Sequence, residues 1–421
     1  MKKIMKKNIL VFPSASNLAI EIYYSLNKDK NINLIGCSSV ENEITKIFKN
    51  NIKIKSFMGD KDFLNKLNNI IKKHKIDLIY PLSDDVSLYF SKNISKFKCG
   101  VISSCYETNA ILRSKYKTYK YFDGIINTPI IYEDINVINK FPVFIKPQKG
   151  SSSKDCYVVK NKKELNFFVD NIENPIVLEY LSGSEFTVDC FTDFNGNLLF
   201  AQPRLRIFKS LGASSYTKIS QNEELKEWAV KINEKIKFNG AWFFQTKIND
   251  KGEQSLLEIA PRIGASSGIN RLNDVNLPLL NVYNHYKTIV EIDNNDFHAT
   301  GYRYLNYEFD FDFNFYKNIY FDFDDTLLID GKLNADLIKF IIKCINAKLN
   351  TILISKYKGN LNNKLEKFKI KNLFKEVIHL KKHEEKVVYM KKNSMLIDDS
   401  FSERKKARNE GFPAFPPEAF N

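Results

Sequence analysis

The chain has 421 residues, of which 43% are hydrophobic and 13% aromatic, and it carries a formal net charge of +15 at pH 7. This length exceeds one ordinary hydrophobic core, so we expect roughly two to four domains, and the apolar content excludes a disordered chain. The positive charge is compatible with nucleic-acid binding or with general solvation by lysines spread along the sequence. We favour solvation, because no interleaved stripe of basic and aromatic residues accompanies the charge.

The N-terminal segment and the cysteines bear on the cellular compartment. The six cysteines show neither a Cys-x-x-Cys pair nor a regular spacing, which argues against a zinc site and a disulfide framework. The basic start, Met1 to Lys7, is followed by an apolar run that Pro13 ends, so it predicts a first β-strand rather than a signal peptide. No apolar stretch of the sequence is long enough to span a bilayer. We therefore expect a cytoplasmic protein with reduced core cysteines and no membrane partner.

Residues 1–105 predict a doubly wound α/β domain. The predicted elements alternate as strand 9–12, helix 18–26, strand 32–36, helix 61–74 and strand 76–81. The last strand is apolar throughout, which is typical of a buried parallel strand. Pro13 to Ser16 replace a glycine-rich dinucleotide fingerprint, so a nicotinamide site is not indicated.

The rest of the chain changes character twice. Strands dominate from 106 to 308, and strand–helix alternation returns from Lys317 to the end. Residues 309–315 alternate Phe with Asp or Asn and predict an exposed strand or a linker. We therefore predict a multidomain protein of α/β and α+β class, divided into residues 1–105, 106–308 and 309–421.

The central segment contains the residue types that phosphate chemistry needs. Lys146 precedes the small-residue loop 148–153, and Glu258 ends a later apolar strand that is followed by Arg262. A small-residue loop offers backbone N–H groups, a lysine offsets phosphate charge, and a carboxylate holds Mg²⁺. This ordered set resembles the ATP-grasp superfamily, specifically its carbamoyl-phosphate synthetase and biotin carboxylase branch, over residues 8–308.

The resemblance implies a Rossmann-like pre-ATP-grasp domain, whose buried strand ends in the run 80–85, and an ATP-grasp domain after it. The ATP-binding residues that it implies are Lys115, Lys146, Ser151, Ser152, Ser153, Glu179, Tyr180, Leu181 and Glu185. The lysines would contact phosphates, residues 179–181 would hold adenine, and Glu185 would bind the ribose. The metal ligands would be Gln245 and Glu258, the acyl phosphate would contact Arg262, and an anionic substrate would contact Arg204 and Arg206.

Two departures from the family pattern bear on the ATP site. The loop is rich in serine rather than glycine, which keeps its side chains small and adds hydroxyl donors. Ala260 stands where the family usually has an asparagine that helps to bind a second Mg²⁺, and Gln245 is a neutral ligand. We therefore expect a metal site that is poor in ligands, with a weak second metal or a ligand from elsewhere.

A second set of polar residues lies in the C-terminal segment. Asp322, Asp324 and Thr326 follow one apolar strand, and Asp398 and Asp399 follow another. After a buried strand, these residue types can supply a nucleophile, an acid or base and a phosphate-binding hydroxyl. The pattern resembles the haloacid-dehalogenase-like (HAD) phosphatase superfamily, and it implies a HAD-like α/β domain.

This second resemblance also implies residue roles. Asp322 would attack phosphorus, and Asp324 would protonate the leaving group and then activate water. Mg²⁺ would be held by Asp322, Asp324 and Asp398 or Asp399. The phosphate would contact Thr326, Ser355 and Lys386, although Lys381 and Lys382 compete with Lys386 for that role.

Several further patterns receive plainer interpretations. The segment 328–334 is the place where a small cap could be inserted, so we expect an open site or one that a neighbouring domain covers. His379 and His383 lie four residues apart, a spacing compatible with a metal site on a helix, but we interpret them as surface histidines. Trp228 and Trp242 are interpreted as core residues.

Together the two sites predict a bifunctional enzyme. Its ATP-grasp part would use ATP and Mg²⁺ to convert a carboxylate to an acyl phosphate, which an amine would attack to give an amide. Its HAD part would hydrolyse a phosphate monoester, with the ligated product as one candidate. We expect small-molecule carboxylate and amine partners, one of them phosphorylated, and leave a homodimer open. The alternatives are a nucleotide-binding regulatory protein with a degenerate ligase site or an inactive HAD domain, and a nucleic-acid-binding protein.

Overall fold

The computed structural model describes residues 6–150, 153–210, 213–292, 299–302 and 313–420. The chain forms two compact units, Met1–Tyr304 and Leu305–Asn421. The predicted boundary between residues 308 and 309, and most of the predicted linker, lie outside the described residues. The predicted division of the first unit at residue 105 stays a prediction.

The first sheet consists of β1 (Lys7–Phe12), β2 (Ile32–Ser38), β3 (Asn51–Lys53), β4 (Leu78–Pro81) and β5 (Gly100–Val101). The helices between its strands are α1 (Asn17–Leu26), α2 (Phe63–Lys73) and α3 (Asp84–Lys92). All its strands are parallel, in the order β3-β2-β1-β4-β5. Apolar side chains of β1 and β4 contribute to two hydrophobic clusters of this unit, as expected for strands whose two faces are both covered. The predicted strand–helix alternation is confirmed.

Helix α3 begins at the carboxyl end of β4. Ser83 is its N-cap, and its hydroxyl accepts a hydrogen bond from the Val86 N–H. Asp84 and Asp85 occupy the first turn, where the helix dipole favours negative charge. Because β1 is the central strand and the strand order reverses between β1 and β4, the crevice at their carboxyl ends is a switch point of the kind where α/β sheets bind ligands.

Two antiparallel sheets form the rest of the first unit. The small sheet has the order β7-β6-β8 and contains β6 (Val143–Pro147), β7 (Tyr157–Val159) and β8 (Pro175–Glu179). The large sheet has the order β13-β12-β9-β10-β11-β14 and contains β9 (Glu185–Thr192), β10 (Leu198–Ser210), β11 (Ala213–Ile219), β12 (Gly240–Ile248), β13 (Gln254–Ala260) and β14 (Thr300–Tyr302). The helices of this part are α4 (Tyr106–Leu112), α5 (Lys115–Phe122), α6 (Lys162–Asn171), α7 (Glu223–Lys235) and α8 (Leu277–His285). Trp228 of α7 and Trp242 of β12 belong to one hydrophobic core cluster, as predicted.

The second unit contains another parallel sheet with the same kind of strand order, β19-β18-β15-β20-β21. Its strands are β15 (Asn318–Phe321), β18 (Asn350–Ser355), β19 (Glu376–His379), β20 (Ser394–Ile397) and β21 (Ala414–Phe415). A hairpin of β16 (Leu328–Ile329) and β17 (Lys332–Leu333) occupies the predicted cap segment. The helices are α9 (Ala335–Asn346), α10 (Leu361–Lys367) and α11 (Phe401–Asn409). The switch point of this sheet lies between β15 and β20.

Short 3-10 helices complete the described secondary structure at Glu43–Ile47, Ile94–Lys96, Ile135–Val137, Ser267–Asn273, Phe313–Phe315, Lys371–Leu373, Lys386–Tyr389 and Pro417–Phe420. In the part of the chain that the structure describes, no helix combines the length and the apolar character that a membrane crossing needs. All six cysteines are free thiols, but only Cys37, Cys190 and Cys344 are buried. The prediction that all of them are core residues is therefore wrong for Cys105, which is exposed.

Candidate functional sites

A cavity of about 360 Å³ lies in the first unit and is lined by residues of the small and the large antiparallel sheets. Its volume falls in the range of small-molecule sites. The predicted residues that line it are Lys115, Lys146, Ser153, Glu179, Tyr180, Leu181, Glu185, Arg206, Gln245 and Glu258. Ser151 and Ser152 lie outside the described residues. The tertiary structure thus brings predicted residues from six strands and one helix to one cavity.

Lys146 is buried at one side of this cavity. Its ammonium donates to the Tyr119 hydroxyl at 2.7 Å, and that hydroxyl donates to the Leu257 carbonyl at 2.7 Å. Burial lowers the pKa of Lys146 to about 7, and the positive charge of Lys115 contributes to this shift. An anion that enters the cavity would therefore favour the charged form of Lys146.

Lys115 contacts both the loop 148–153 and strand β13. Lys115 Nζ donates to the Gly150 carbonyl at 3.1 Å and lies 3.7 Å from Glu258 Oε2. The Lys115 N–H donates to the Gln148 carbonyl at 2.9 Å, which fixes the loop against the first turn of α5. Lysine, loop and carboxylate therefore meet in this cavity, an arrangement that suits a metal–polyphosphate group.

The predicted adenine segment follows β8. The Ile130 N–H donates to Glu179 Oε1 and the Glu179 N–H donates to the Ile130 carbonyl, each at 3.0 Å. Lys247 Nζ lies over the Tyr180 ring, 5.5 Å from the ring centroid. Together with Phe144, Val158, Leu178 and Leu181, these residues give this part of the cavity apolar walls of the kind that a flat ring fills.

Arg206 lies beside both a predicted ribose ligand and a predicted metal ligand. Its Nη1 donates to Gln245 Oε1 at 2.7 Å and lies 3.3 Å from Glu185 Oε2. Burial lowers the pKa of Arg206, while the carboxylates of Glu185 and Glu258 oppose that shift. Because the Gln245 oxygen already accepts a bond from a cation, Glu258 is the stronger candidate for a metal ligand.

Arg204, two residues away on β10, does not line the cavity. Its guanidinium forms a two-bond ion pair with Asp189, at 2.6 and 3.1 Å, and also donates to Thr217 and Ser266. Arg204 and Asp189 are almost completely buried. An internal carboxylate therefore occupies this guanidinium, and the role of Arg204 in holding a substrate stays a prediction.

Arg262 also lies outside the lining of the large cavity. Its guanidinium pairs with Asp84 on α3, and it borders a much smaller cavity between the first sheet and the large sheet. The predicted contact of Arg262 with an acyl phosphate stays a prediction. The sequence interpretation did not assign a role to Asp84.

In the second unit, three carboxylates meet at the switch point. One carboxylate oxygen from each of Asp322, Asp398 and Asp399 lies within 4.8 Å of the others. Asp322 follows β15 and Asp398 follows β20, and these two strands are paired neighbours in the sheet. Burial raises the pKa of Asp322 to about 6, with Lys386 opposing and Asp398 adding to the shift. Such a cluster of hard oxygen donors fits Mg²⁺.

The remaining predicted residues of this cluster have different positions. Lys386 is buried, whereas its competitors Lys381 and Lys382 are exposed. The Thr326 hydroxyl donates to Asp399 Oδ1 and accepts from the Asp399 N–H, both at 3.0 Å. Ser355 is buried at the end of β18, and Asp324 is exposed beside the cluster, with a pKa that burial and then Asp325 raise. His379 and His383 are exposed, as predicted.

Sequence reasoning missed several residues of both sites. Lys209 and Lys247 line the large cavity, and both approach the Glu185 carboxylate, at 2.6 and 3.8 Å. Arg404 donates from Nη1 to the backbone carbonyls of Asp398 and Asp399, at 2.7 and 2.5 Å. Only the two lysines carried a usable signal, because they lie on strands that also hold predicted site residues.

The arrangement of a small and a large antiparallel sheet around a nucleotide-sized cavity gives the first unit the ATP-grasp fold. Residues 171–306 match the family described as "ATP-grasp in the biosynthetic pathway with Ter operon". A D-alanine--D-alanine ligase of Fusobacterium nucleatum is 31% identical over 175 residues, which are 41% of this chain and 52% of that protein. The chain spans about half the length of the curated relatives it matches.

Solved structures show the same fold at low sequence identity. The biotin carboxylase domain dimer of Hydrogenobacter thermophilus 2-oxoglutarate carboxylase, in complex with MgADP, ADP and bicarbonate, gives a TM-score of 0.56 at 13% identity, over 67% of this chain and 70% of that one. An L-amino acid ligase from Bacillus licheniformis gives a TM-score of 0.52 at 15% identity, over 67% and 74% of the two chains.

Proposed function

We propose that the first unit is an ATP-dependent carboxylate–amine ligase. The observation that carries this proposal is that Lys115, Lys146 and Glu258 line one cavity together with apolar side chains. The similarity to a D-alanine--D-alanine ligase supports the same reaction class, and the MgADP complex of the carboxylase supports ATP and Mg²⁺ as cofactors. The substrates proposed are a small carboxylate and a small amine.

The donor set is suited to one Mg²⁺ better than to two. Glu258 supplies a carboxylate, Gln245 supplies an amide oxygen that already accepts from Arg206, and Ala260 supplies no ligand atom. When bound, Mg²⁺ would neutralise phosphate charge between ATP and Glu258. Lys115 and Lys146 would hold the phosphates, Tyr180 and Leu181 would flank the adenine, and Glu185 would face the ribose.

The proposed ligation has two balanced steps. An oxygen of the substrate carboxylate attacks the γ-phosphorus of ATP, the bond to the β-phosphate oxygen breaks, and ADP leaves. The amine nitrogen then attacks the acyl carbon, inorganic phosphate leaves, and the amine loses a proton. Side chains that offset the charge of the phosphate and of the tetrahedral intermediate lower the barriers of both steps.

The test is ADP release in a screen of carboxylates paired with amines, amino acids included. ADP release that needs both substrates, and that is lost in Glu258→Gln, is the expected result. Glu258→Gln keeps the shape of the side chain and removes its charge. Release of ADP without either substrate, or ATP binding with no turnover for any pair, would favour the nucleotide-binding regulatory protein instead.

We propose a second activity, phosphate monoester hydrolysis, for the second unit. The specific observation is the cluster of Asp322, Asp398 and Asp399 with Lys386 at the carboxyl edge of a parallel sheet. Asp322 would attack phosphorus and form an aspartyl phosphate, while Asp324 protonates the departing alcohol. Asp324 would then take a proton from water, whose oxygen attacks phosphorus, releases inorganic phosphate and restores Asp322. Mg²⁺ held by the three clustered carboxylates would offset the negative charge of the phosphoryl group.

This activity is separable from ligation by one variant. Asp322→Asn keeps the shape and removes the nucleophilic charge, so Mg²⁺-dependent release of phosphate from a panel of phosphate monoesters should fall by about 10³-fold or more. Amide formation should continue. If one ligation substrate is phosphorylated, Asp322→Asn would also accumulate a phosphorylated amide, which mass spectrometry detects. A wild-type protein that hydrolyses no ester of the panel would contradict the second activity and leave the first intact.

A further inference from the structure

Asp84 and Arg262 join two sheets of the first unit through a two-bond ion pair. Arg262 Nε donates to Asp84 Oδ1 at 2.7 Å, and Arg262 Nη2 donates to Asp84 Oδ2 at 3.0 Å. Asp84 is the first residue of α3, and Arg262 follows β13, so 178 positions separate them in the chain. The fork of a guanidinium matches a carboxylate in this geometry, which fixes the direction of the arginine as well as its distance.

Two further contacts restrict the guanidinium. Arg262 Nη1 donates to the Ile263 carbonyl at 3.2 Å, and the guanidinium carbon lies 5.3 Å from the centroid of the Phe243 ring. A guanidinium has five N–H groups. Three hydrogen bonds to Asp84 and Ile263 therefore leave two N–H groups for a further acceptor.

The ion pair is mostly shielded from water. The side chains of Arg262 and Asp84 are 19% and 21% exposed. Burial raises the pKa of Asp84, but the charge and hydrogen bonds of Arg262 outweigh that effect and hold the pKa below its ordinary value. Arg262 and Asp84 therefore both stay charged at neutral pH.

Asp84 lies at the carboxyl edge of the first sheet, which is where α/β sheets usually contact ligands. It lies at the carboxyl end of β4, beside the switch point of the first sheet. Arg262 lies on the segment after β13, four residues beyond Glu258. The direction of the Arg262 guanidinium is therefore fixed by the first residue of α3, at the carboxyl end of the first sheet.

We propose that Asp84 is a positioning residue of the ligase, which holds the Arg262 guanidinium in the direction from which it contacts the acyl phosphate. This inference rests on the proposed ligase function. Asp84 is not among the residues that line the ATP cavity, so its loss affects the reacting step and leaves ATP binding unchanged. An error of about 1 Å in the position of a catalytic group can cost about 10²-fold in rate.

The chain offers a control at a second carboxylate–arginine pair. Glu21 on α1 pairs with Arg271 in the 3-10 helix Ser267–Asn273, so this pair also connects the first sheet region to a segment beyond β13. Glu21 and Arg271 are absent from the lining of both cavities. Glu21→Gln and Asp84→Asn therefore each remove one carboxylate charge from a connecting ion pair, and only the second disturbs Arg262.

The experiment compares wild type, Asp84→Asn, Asp84→Glu and Glu21→Gln in ADP release, with the carboxylate–amine pair that gives the highest rate in the wild-type screen. We expect kcat to fall by about 10- to 100-fold in Asp84→Asn, with the KM for ATP within about 2-fold of wild type. Asp84→Glu keeps the charge but shifts the guanidinium, so an intermediate kcat is expected. Glu21→Gln should lower the thermal unfolding temperature and keep the wild-type kcat.

Each outcome has one meaning. An unchanged kcat in Asp84→Asn, or equal losses in Asp84→Asn and Glu21→Gln, overturns the positioning role while the ligase function stands. Absence of ADP release by the wild type overturns the ligase function and this inference with it. If Asp84→Asn does not fold, as judged by loss of a cooperative thermal unfolding transition, then Asp84→Glu decides: a wild-type kcat in that variant overturns the proposal. Loss of ATP binding in a folded Asp84→Asn protein also overturns it.

Discussion

The ammonium of Lys386 lies between two buried carboxylates, 2.8 Å from Asp322 Oδ1 and 2.6 Å from Asp398 Oδ2. Its pKa is raised, because the two carboxylates outweigh the effect of burial. Asp322 and Asp398 follow adjacent parallel strands, so without a cation their charges would repel each other in a site with little water. Lys386 therefore stabilises the second unit as well as the proposed phosphate site.

Replacing Lys386 with Met removes this charge and keeps a similar side-chain length. We expect the second unit to lose about 3–5 kcal/mol of stability, because two buried carboxylates would be left without their partner. Mg²⁺ should restore part of the lost stability by binding the same carboxylates. Its stabilising effect should be larger in Lys386→Met than in wild type. Hydrogen exchange at β15 and β20, with and without Mg²⁺, measures both effects. Lys382→Met, at an exposed lysine nearby, is the control, and equal protection in the two variants would contradict the prediction.

Arg204 and Arg206 provide a paired test on one strand. Arg204→Met leaves Asp189 buried without its ion-pair partner, so we expect a stability loss of about 3–5 kcal/mol in urea unfolding. Arg206→Met should cost less stability and instead raise the KM for ATP or for the carboxylate, since Arg206 lines the cavity. The reverse pattern, with Arg204→Met folded normally and defective only in KM, would support Arg204 as a substrate ligand.

The lowered pKa of Lys146 predicts that ATP binding is coupled to proton uptake. With a pKa of about 7 in the free protein, Lys146 is mostly neutral at pH 8, and the phosphates of ATP would favour its charged form. ATP binding at pH 8 should therefore take up close to one proton, and affinity should fall as pH rises above about 7. Isothermal titration calorimetry in buffers of different ionisation enthalpy measures this uptake. In Lys146→Arg, where the cation is permanently charged, the uptake should disappear, and equal uptake in the two proteins would exclude Lys146 as the source.

The position of Ala260 beside Glu258 predicts that a substitution there changes the Mg²⁺ requirement of the ligase. Residues 258 and 260 are two apart on β13, so their side chains lie on the same face of the strand. Ala260→Asn should place an amide oxygen next to Glu258 and lower the Mg²⁺ concentration needed for half-maximal ADP release. Ala260→Leu adds similar volume without an oxygen and serves as the control. A lower requirement in Ala260→Leu as well would mean that packing, not ligation, causes the change.

The sequence by itself predicted most of the local structure and many of the residues that line the cavity or form the carboxylate cluster. Continuous apolar runs predicted β1, β4, β15 and β20, because parallel strands are covered on both faces. The polar residues directly after such strands were then site candidates, since the carboxyl ends of parallel strands meet at one edge of a sheet. The structure confirms these strands and brings Asp322 and Asp398 together as this reasoning requires.

Only the tertiary structure decided which polar groups face each other. Arg204 and Arg206 share a face of β10 and look equivalent in sequence, but the register with β9 places Asp189 diagonally beside Arg204 alone. Lys386, unlike Lys381, is buried and contacts both Asp322 and Asp398, which follow the neighbouring strands β15 and β20. The pairing of Asp84 with Arg262 joins positions 178 apart, and no local pattern encodes the meeting of two such segments. Periodicity and turn chemistry are properties of neighbouring residues, whereas charge partners are set by how sheets pack and in which register their strands align.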